Sequence, residues 1–189
     1  MGSIEVEVRS FISKEQYEEL LSFFKKNARF ICEGEQETHY LNAKVDLRIQ
    51  KTKYFSKIWV KKGKLHDHCR EEIEIKFRRE DFEKIKELAS LLGFETEIVW
   101  LRKRKEFEWQ GIKVCLDYTK GYGYIIELEK VCDEQEKEKV LDFLKQKMEE
   151  LGIEITPREE FEKKFSFYKE NWRKLIGDYE SKAIVERRA

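Results

Sequence analysis

The chain has 189 residues, 40% of them hydrophobic and including 13 Phe, 8 Tyr and 4 Trp, enough for one domain with a proper core. Charged residues reach 41%, yet 39 Lys+Arg balance 39 Asp+Glu for a formal net charge of zero, where ordinary soluble domains carry ~25% charged residues. That balance excludes the basic excess of a nucleic-acid binder and the one-signed charge of a disordered tail.

Ile4-Glu5-Val6-Glu7-Val8-Arg9 alternates apolar and charged residues and predicts a strand over 4–12. Ser13, with Gln16 three positions on, opens a helix reaching about residue 28 through Tyr17, Leu20, Leu21 and Phe24. Short strands are expected at 38–42 and 46–51, then at 55–62, ending at Gly63. After a polar turn at 64–68, residues 69–77 alternate again. A helix over 81–92 stops at Gly93, and 97–109, 111–118 and 123–131 read as a meander turning at Gln110-Gly111 and Lys120-Gly121. Asp133 and Glu136 open a third helix ending at Gly152; Thr156-Pro157-x-Glu159 opens a fourth. A single domain over 1–177 with a polar tail over 178–189 is expected.

The strands connect by short loops, which favours antiparallel pairing, and about eight strands suffice to close a barrel. Residues two apart on a strand share a face ~6.5–7 Å apart. Glu5/Glu7, Glu72/Glu74 and Glu127/Glu129 are therefore same-face acidic pairs, with Asp117 alone on its strand. Basic candidates are Arg9, Arg48, Arg70, Arg102 and Arg104, with Lys61 or Lys62 depending on the face of that strand. One such row is an ordinary wet sheet face; its repetition in the first and last strands points to an α+β fold. That fold is a closed eight-stranded antiparallel barrel, a tunnel with a charged lumen and helices packed outside. Paired carboxylates in a poorly solvated lumen invite a hard divalent ion such as Mg²⁺ or Mn²⁺. Facing Arg and Lys suit phosphate oxygens.

Taken in order, these segments resemble the CYTH superfamily, the triphosphate tunnel metalloenzymes. Glu5-x-Glu7-x-Arg9 resembles its E-x-E-x-K signature, Tyr40-Leu41-Asn42 its Y-F-D, and Asp46-Leu47-Arg48-Ile49-Gln50 its L-R-x-R strand. Lys62-Gly63, Arg70-x-Glu72-x-Glu74 and Arg102-x-Arg104 with Phe107 resemble further strand signatures. Val114-Cys115-Leu116-Asp117, Gly121-Tyr122-Gly123 and Ile126-Glu127-Leu128-Glu129 resemble the D…G-x-G…E-x-E block, so the similarity spans about 4–170. The resemblance implies an eight-stranded tunnel that binds Mg²⁺ or Mn²⁺ through Glu5, Glu7, Glu127 and Glu129, supported by Glu72, Glu74 and Asp117. It implies triphosphate binding by Arg48, Lys62, Arg70, Arg102 and Arg104, and a catalytic set of Glu5, Glu7 and Arg9. The implied activity is metal-dependent hydrolysis of tripolyphosphate or of an organic triphosphate such as ATP or thiamine triphosphate. The alternatives are a class IV adenylyl cyclase and, outside enzymes, a non-catalytic nucleotide or polyphosphate binder.

Three positions depart from the family pattern: Arg9 replaces a lysine, Gln50 an arginine and Asn42 an aspartate. A guanidinium binds phosphate but exchanges protons far less readily than an ammonium. His66-Asp67-His68-Cys69 lacks standard zinc spacing and falls in a turn. Gly121-Tyr122-Gly123 is followed by no helix and reads as a strand connection. Phe161, Phe165, Phe167, Tyr168 and Trp172 read as a helix packed on the barrel exterior. Cys32, Cys69, Cys115 and Cys132 form neither a C-x-x-C pair nor a disulfide framework. No apolar run approaches the ~20 residues of a bilayer span, and the opening residues lack a signal-peptide core. The expected setting is cytoplasmic, without membrane or nucleic-acid duplex partners, and with a homodimer among the assemblies open to the chain.

Overall fold

The computed structural model describes residues 4–63 and 67–177, and the tail expected over 178–189 lies outside the described residues. In chain order the elements are β1 (Ile4–Ile12), α1 (Lys14–Asn27), β2 (Arg29–Leu41), β3 (Asp46–Lys51), β4 (Phe55–Lys61), β5 (Cys69–Arg70), β6 (Glu72–Arg78), α2 (Phe82–Leu91), β7 (Thr96–Trp109), β8 (Ile112–Thr119), β9 (Gly123–Cys132), α3 (Lys137–Glu150) and α4 (Arg158–Ile176). The strands form one antiparallel sheet in the order β5-β1-β9-β8-β7-β2-β3-β4-β6. Only Glu71 separates β5 from β6, so the two ends of the sheet are neighbours in sequence. The sheet therefore curls into an almost closed barrel with one seam.

Nine strands stand where eight are expected because the expected strand over 69–77 breaks at Glu71: β5 pairs with β1, while β6 pairs with β4. The expected strand over 38–42 is the end of a much longer one, β2. Its first half is largely exposed, so no apolar face marks it in the sequence.

Ser13 caps α1 as expected: its Oγ accepts from Gln16 N at 3.1 Å, and Gln16 Oε1 accepts from Ser13 N at 2.9 Å. Thr156 does not cap α4. Its hydroxyl lies 2.8 Å from Ser10 Oγ and accepts from Phe11 N at 2.9 Å, tying the approach to α4 onto β1. Asp133 precedes a single 3₁₀ turn with no side-chain cap, and α3 starts at Lys137.

The outer face of β1, β8 and β9 presents Val6, Val8, Leu116, Ile126 and Leu128 to α1 and α3, which supply Phe24, Leu144 and Met148. On the far side, α2 lays Phe82, Ile85 and Ala89 over Leu41 and Ile49. Helix α4 departs from the expected exterior position. Its Phe161, Phe165 and Tyr168 pack with Phe11, Tyr40, Trp100 and Ile125, each two positions from an inward residue of its strand (Arg9, Thr38, Arg102 and Glu127) and so on the same inward face. The helix therefore covers one end of the barrel. Tyr168 Oη donates to Val99 O and Trp172 Nε1 to Glu97 O, both at 2.9 Å, anchoring it along β7. Among the described residues no helix is long and apolar enough to cross a membrane.

Gly121 turns β8 into β9 with φ +75°, and a Cβ there would meet Leu175 Cβ of α4 at 2.6 Å. Gly152 has φ +68° but open space around it. Gly152→Ala should cost only the left-handed backbone penalty of ~1–2 kcal/mol. Gly121→Ala adds displacement of α4 and should cost visibly more in urea unfolding; equal costs would show that α4 is not seated on this turn.

Candidate active site

Period-2 alternation turns charged residues of most strands into the barrel, while β2 contributes the neutral Gly34, Gln36, Thr38 and Tyr40. Glu7 faces Glu129 and Arg9 faces Glu127 across β1 and β9. Glu129 faces Lys113, and Glu127 faces Cys115, across β9 and β8. Asp117 faces Arg104, and Thr119 faces Arg102, across β8 and β7. On the other wall Asp46, Lys61 and Glu72 form one rung and Arg48, Trp59 and Glu74 the next.

Arg104 is the most heavily engaged cation. Its Nε and Nη2 donate to the two oxygens of Asp117 at 2.8 and 2.6 Å. Nη2 also bonds Glu127, and Nη1 lies 3.7 Å from Glu129. Lys113 holds Glu129 at 2.7 Å. Arg102 reaches Asp117 at 3.1 Å and donates twice to Gln36 Oε1, at 2.9 and 2.7 Å. Across the seam Lys61 Nζ contacts Glu5 at 2.7 Å, Glu72 at 3.5 Å and Glu7 at 3.7 Å. Asp46 accepts two bonds from Arg48 at 2.6 Å and one from Arg70 at 2.7 Å. Arg9 contacts Glu7 at 3.3 Å and lies over the Phe161 ring at 4.6 Å.

These contacts divide the carboxylates. Burial alone would raise Glu127, but Arg104, Arg102 and Arg9 together hold it well below the usual carboxylate range. Burial likewise opposes Glu129, which Lys113 and Arg104 hold down. For Glu5, burial prevails over Lys61, with Glu129 and Glu7 adding to the upward push. Burial also raises Asp117 against the pull of Arg102 and Arg104. Lys61, despite burial, is raised by Glu7 and Glu5 and stays charged.

The structure brings Glu5, Glu7, Arg9, Arg48, Arg102, Arg104, Asp117, Glu127 and Glu129 onto the inward face. Glu72 and Glu74 face inward too, held by Lys57 and Lys61. Arg70 is buried at the seam, where it also donates to the carbonyl oxygens of Lys61 and Lys62. Lys62 is the exception: it is exposed and paired with Glu71 at 2.9 Å, and Lys61 takes the inward position. Alternation from Lys57 through Trp59 selects Lys61. The same parity from Asp117 finds Lys113 and Cys115, to which the family resemblance assigns no role.

Gln50 is buried and donates to Thr38 Oγ1 at 2.8 Å. Asn42 lies at the end of β2, where its Oδ1 accepts from Glu95 N at 2.8 Å. In the 66–69 cluster His66 lies outside the described residues. Asp67 pairs with Arg158 at 2.9 Å, and His68 Nδ1 donates to Glu7 O at 2.9 Å, so these side chains serve separate structural contacts.

A cavity of about 60 Å³ lies beneath α4, lined among others by Arg9, Arg48, Arg102, Thr119, Tyr40 and Phe161. Thr119 Oγ1 and the inward-facing Trp59 Nε1 are buried polar atoms without a protein hydrogen-bond partner. Sequence motifs give no sign of either, since both are neutral. A wider, open hollow of about 560 Å³ borders Tyr17, Tyr118 and Tyr124. Two of its three lysines are already committed: Lys103 pairs with Glu35 at 3.0 Å, and Lys105 with Glu33.

A sequence model described as CYTH domain matches residues 3–174. A Methanocaldococcus jannaschii protein named as a candidate adenylate cyclase is 38% identical over 86 residues, 44% of this chain and 47% of that relative. The match thus spans about half the length of that relative. A conserved hypothetical protein from Pyrococcus furiosus has a similar structure at TM-score 0.70 and 25% identity, over 82% of this chain and 96% of that one. A Hippeastrum protein, described as an adenylyl cyclase candidate with dominant triphosphatase activity, matches at TM-score 0.64 over 87% of this chain and 95% of that one. At 19% identity it shows the shared fold alone.

Removing Arg104 leaves Asp117 and Glu127 buried without their main partner. Arg104→Met should cost ~3–5 kcal/mol at neutral pH. Glu127 has a lowered folded pKa, so its contribution is present above its unfolded value and lost as pH falls through the folded value. The gap between parent and variant should narrow as the stranded carboxylates protonate in acid. Denaturant titrations at several pH values read this directly; a gap that widens toward acid would refute it.

Proposed function

The chain belongs to the CYTH domain family, and on that premise we propose that it is a divalent-metal-dependent triphosphatase acting on tripolyphosphate, ATP or thiamine triphosphate. The reading rests on one observation. Glu7 faces Glu129, and Arg9 faces Glu127, inside a barrel whose other wall carries Arg48, Arg70 and Lys61.

The acidic groups suit a hard cation by their donor chemistry. Glu127, Glu129 and the Cys115 thiol each offer a ligand atom within 4.8 Å of the others, and Glu5 and Glu7 lie on the adjoining strand. Oxygen donors of this kind match Mg²⁺ or Mn²⁺. When bound, such an ion supplies Lewis-acid neutralisation of phosphate charge and lowers the pKa of a coordinated water. Glu72, Glu74 and Asp117 support the set by holding Lys57, Lys61, Arg102 and Arg104 in place.

Arg48, Arg102 and Arg104 offer planar donors to phosphate oxygens, and Arg70 fixes Asp46 and thereby Arg48. Lys61 adds a point charge from the seam. These groups offset the charge that spreads over the phosphoryl oxygens as the bond to the bridging oxygen breaks. Water oxygen attacks the terminal phosphorus, the bridging oxygen leaves with the shortened polyphosphate, and orthophosphate forms. Arg9 orients phosphate through its planar guanidinium, while a carboxylate, Glu5 or Glu7, takes the proton of the attacking water. Helix α4 excludes bulk water from one end. The four cysteines are free, which supports a reducing cytoplasmic setting.

A class IV adenylyl cyclase is the second reading, favoured by the name of the M. jannaschii relative. The ribose 3′-oxygen would then attack the α-phosphorus, with pyrophosphate leaving. Incubation with tripolyphosphate, thiamine triphosphate and ATP in Mg²⁺ or Mn²⁺ separates the two. Orthophosphate is expected; cyclic AMP with pyrophosphate would replace hydrolysis by cyclisation. Tight binding without turnover would make the chain a non-catalytic binder. Glu127→Gln and Glu129→Gln should each lower metal-dependent turnover by at least ~100-fold, the scale seen when one preorganised charge contact to the transition state is lost, with the circular dichroism spectrum retained. Undiminished turnover in both would remove them from the metal site.

A further inference from the structure

Strand β6 ends the sheet, and among the described residues it pairs only with β4. Among the described residues its other edge has no strand partner, and its backbone donors and acceptors form a template for another strand. Its outward side chains are apolar and open to solvent: Ile73 is 53% exposed, Ile75 57% and Phe77 38%. Proteins blunt such an edge with charge, proline or a bulge; β6 has no proline, and its charges Glu72, Glu74, Lys76 and Arg78 all lie on one face, leaving the outward face apolar.

The sequence of β6, Glu72-Ile73-Glu74-Ile75-Lys76-Phe77-Arg78, is complementary to itself when reversed. Antiparallel pairing of two copies about Ile75 sets Glu72 against Arg78, Ile73 against Phe77 and Glu74 against Lys76. Opposite charges face each other on one side of the ribbon and apolar pairs on the other. Centring on Glu74 opposes two glutamates, and centring on Lys76 opposes two lysines. A shift by a single position mixes the charged and apolar faces. One register alone is free of conflict.

We propose that β6 pairs edge to edge with β6 of a second copy of this chain, antiparallel and centred on Ile75, making a two-fold symmetric dimer. The interface is isologous, with each residue and its counterpart exchanging places. Lys76, which contacts Glu74 of its own strand at 3.1 Å, gains the partner's Glu74 as a second acceptor. Most of the affinity comes from completing the backbone ladder, and the charge pattern sets the register.

Sedimentation or light scattering of the full chain should give twice the chain mass, falling to the monomer on dilution. Lys76→Glu opposes glutamates across the interface and should dissociate the dimer; Glu74→Lys with Lys76→Glu should restore it. Directly opposed residues have Cβ atoms ~4.5–5.5 Å apart, a small adjustment from the ~3.5–4.5 Å of a disulfide. Ile75→Cys should therefore form a linked dimer under mild oxidant beyond any parent background. Ile73→Cys, whose counterpart is Phe77, should not. A monomeric parent at every concentration, a dimer indifferent to Lys76→Glu, or equal cross-linking at 73 and 75 would each overturn the proposal.

Discussion

Everything inside this barrel depends on keeping buried carboxylates charged beside one another. Glu7 and Glu129 sit directly opposite, with Glu127 two positions along the same strand. Desolvated like charges are costly, and an uncompensated buried ion costs several kcal/mol. Arg104, Lys113 and Lys61 meet that cost by lying among the acids rather than beyond them. The lumen is an ionic lattice of alternating sign, so neither sign can run to excess there.

Alternation made most of this lattice legible. Glu5-x-Glu7-x-Arg9 and Glu127-x-Glu129 could be assigned to one face because the period of a strand is two, and the barrel follows from repeating that assignment. Lys62 misled because two lysines are adjacent and a motif match ignores parity; the run from Lys57 through Trp59 resolves it. The first half of β2 was hidden because it contributes backbone and Gly34 to the wall with little buried apolar surface. Thr156 carries every local sign of a helix cap, yet a tertiary bond to Ser10 claims its hydroxyl. The break at Glu71 could not be read locally, since it arises from one stretch of chain serving both edges of the sheet.

The neutral atoms are a separate matter. Trp59 Nε1 and Thr119 Oγ1 are buried without protein partners, while Arg48, Lys57 and Arg102 near them are ion-paired. Such atoms add direction without adding charge, which suits an interior whose ionic contacts are already balanced. Gln50 acts similarly: where an arginine would press a further cation into the lattice, it bonds Thr38 and leaves the charge count of that rung unchanged.

Helix α4 has a consequence for traffic. By laying Phe161 and Phe165 across one opening, it turns a pipe into a vial. Under the proposed activity, that end is obstructed to a long guest by the aromatic side chains of the helix. Should the proposed hydrolysis take place beneath it, products would leave against this obstruction, and emptying would pace turnover as much as bond breaking.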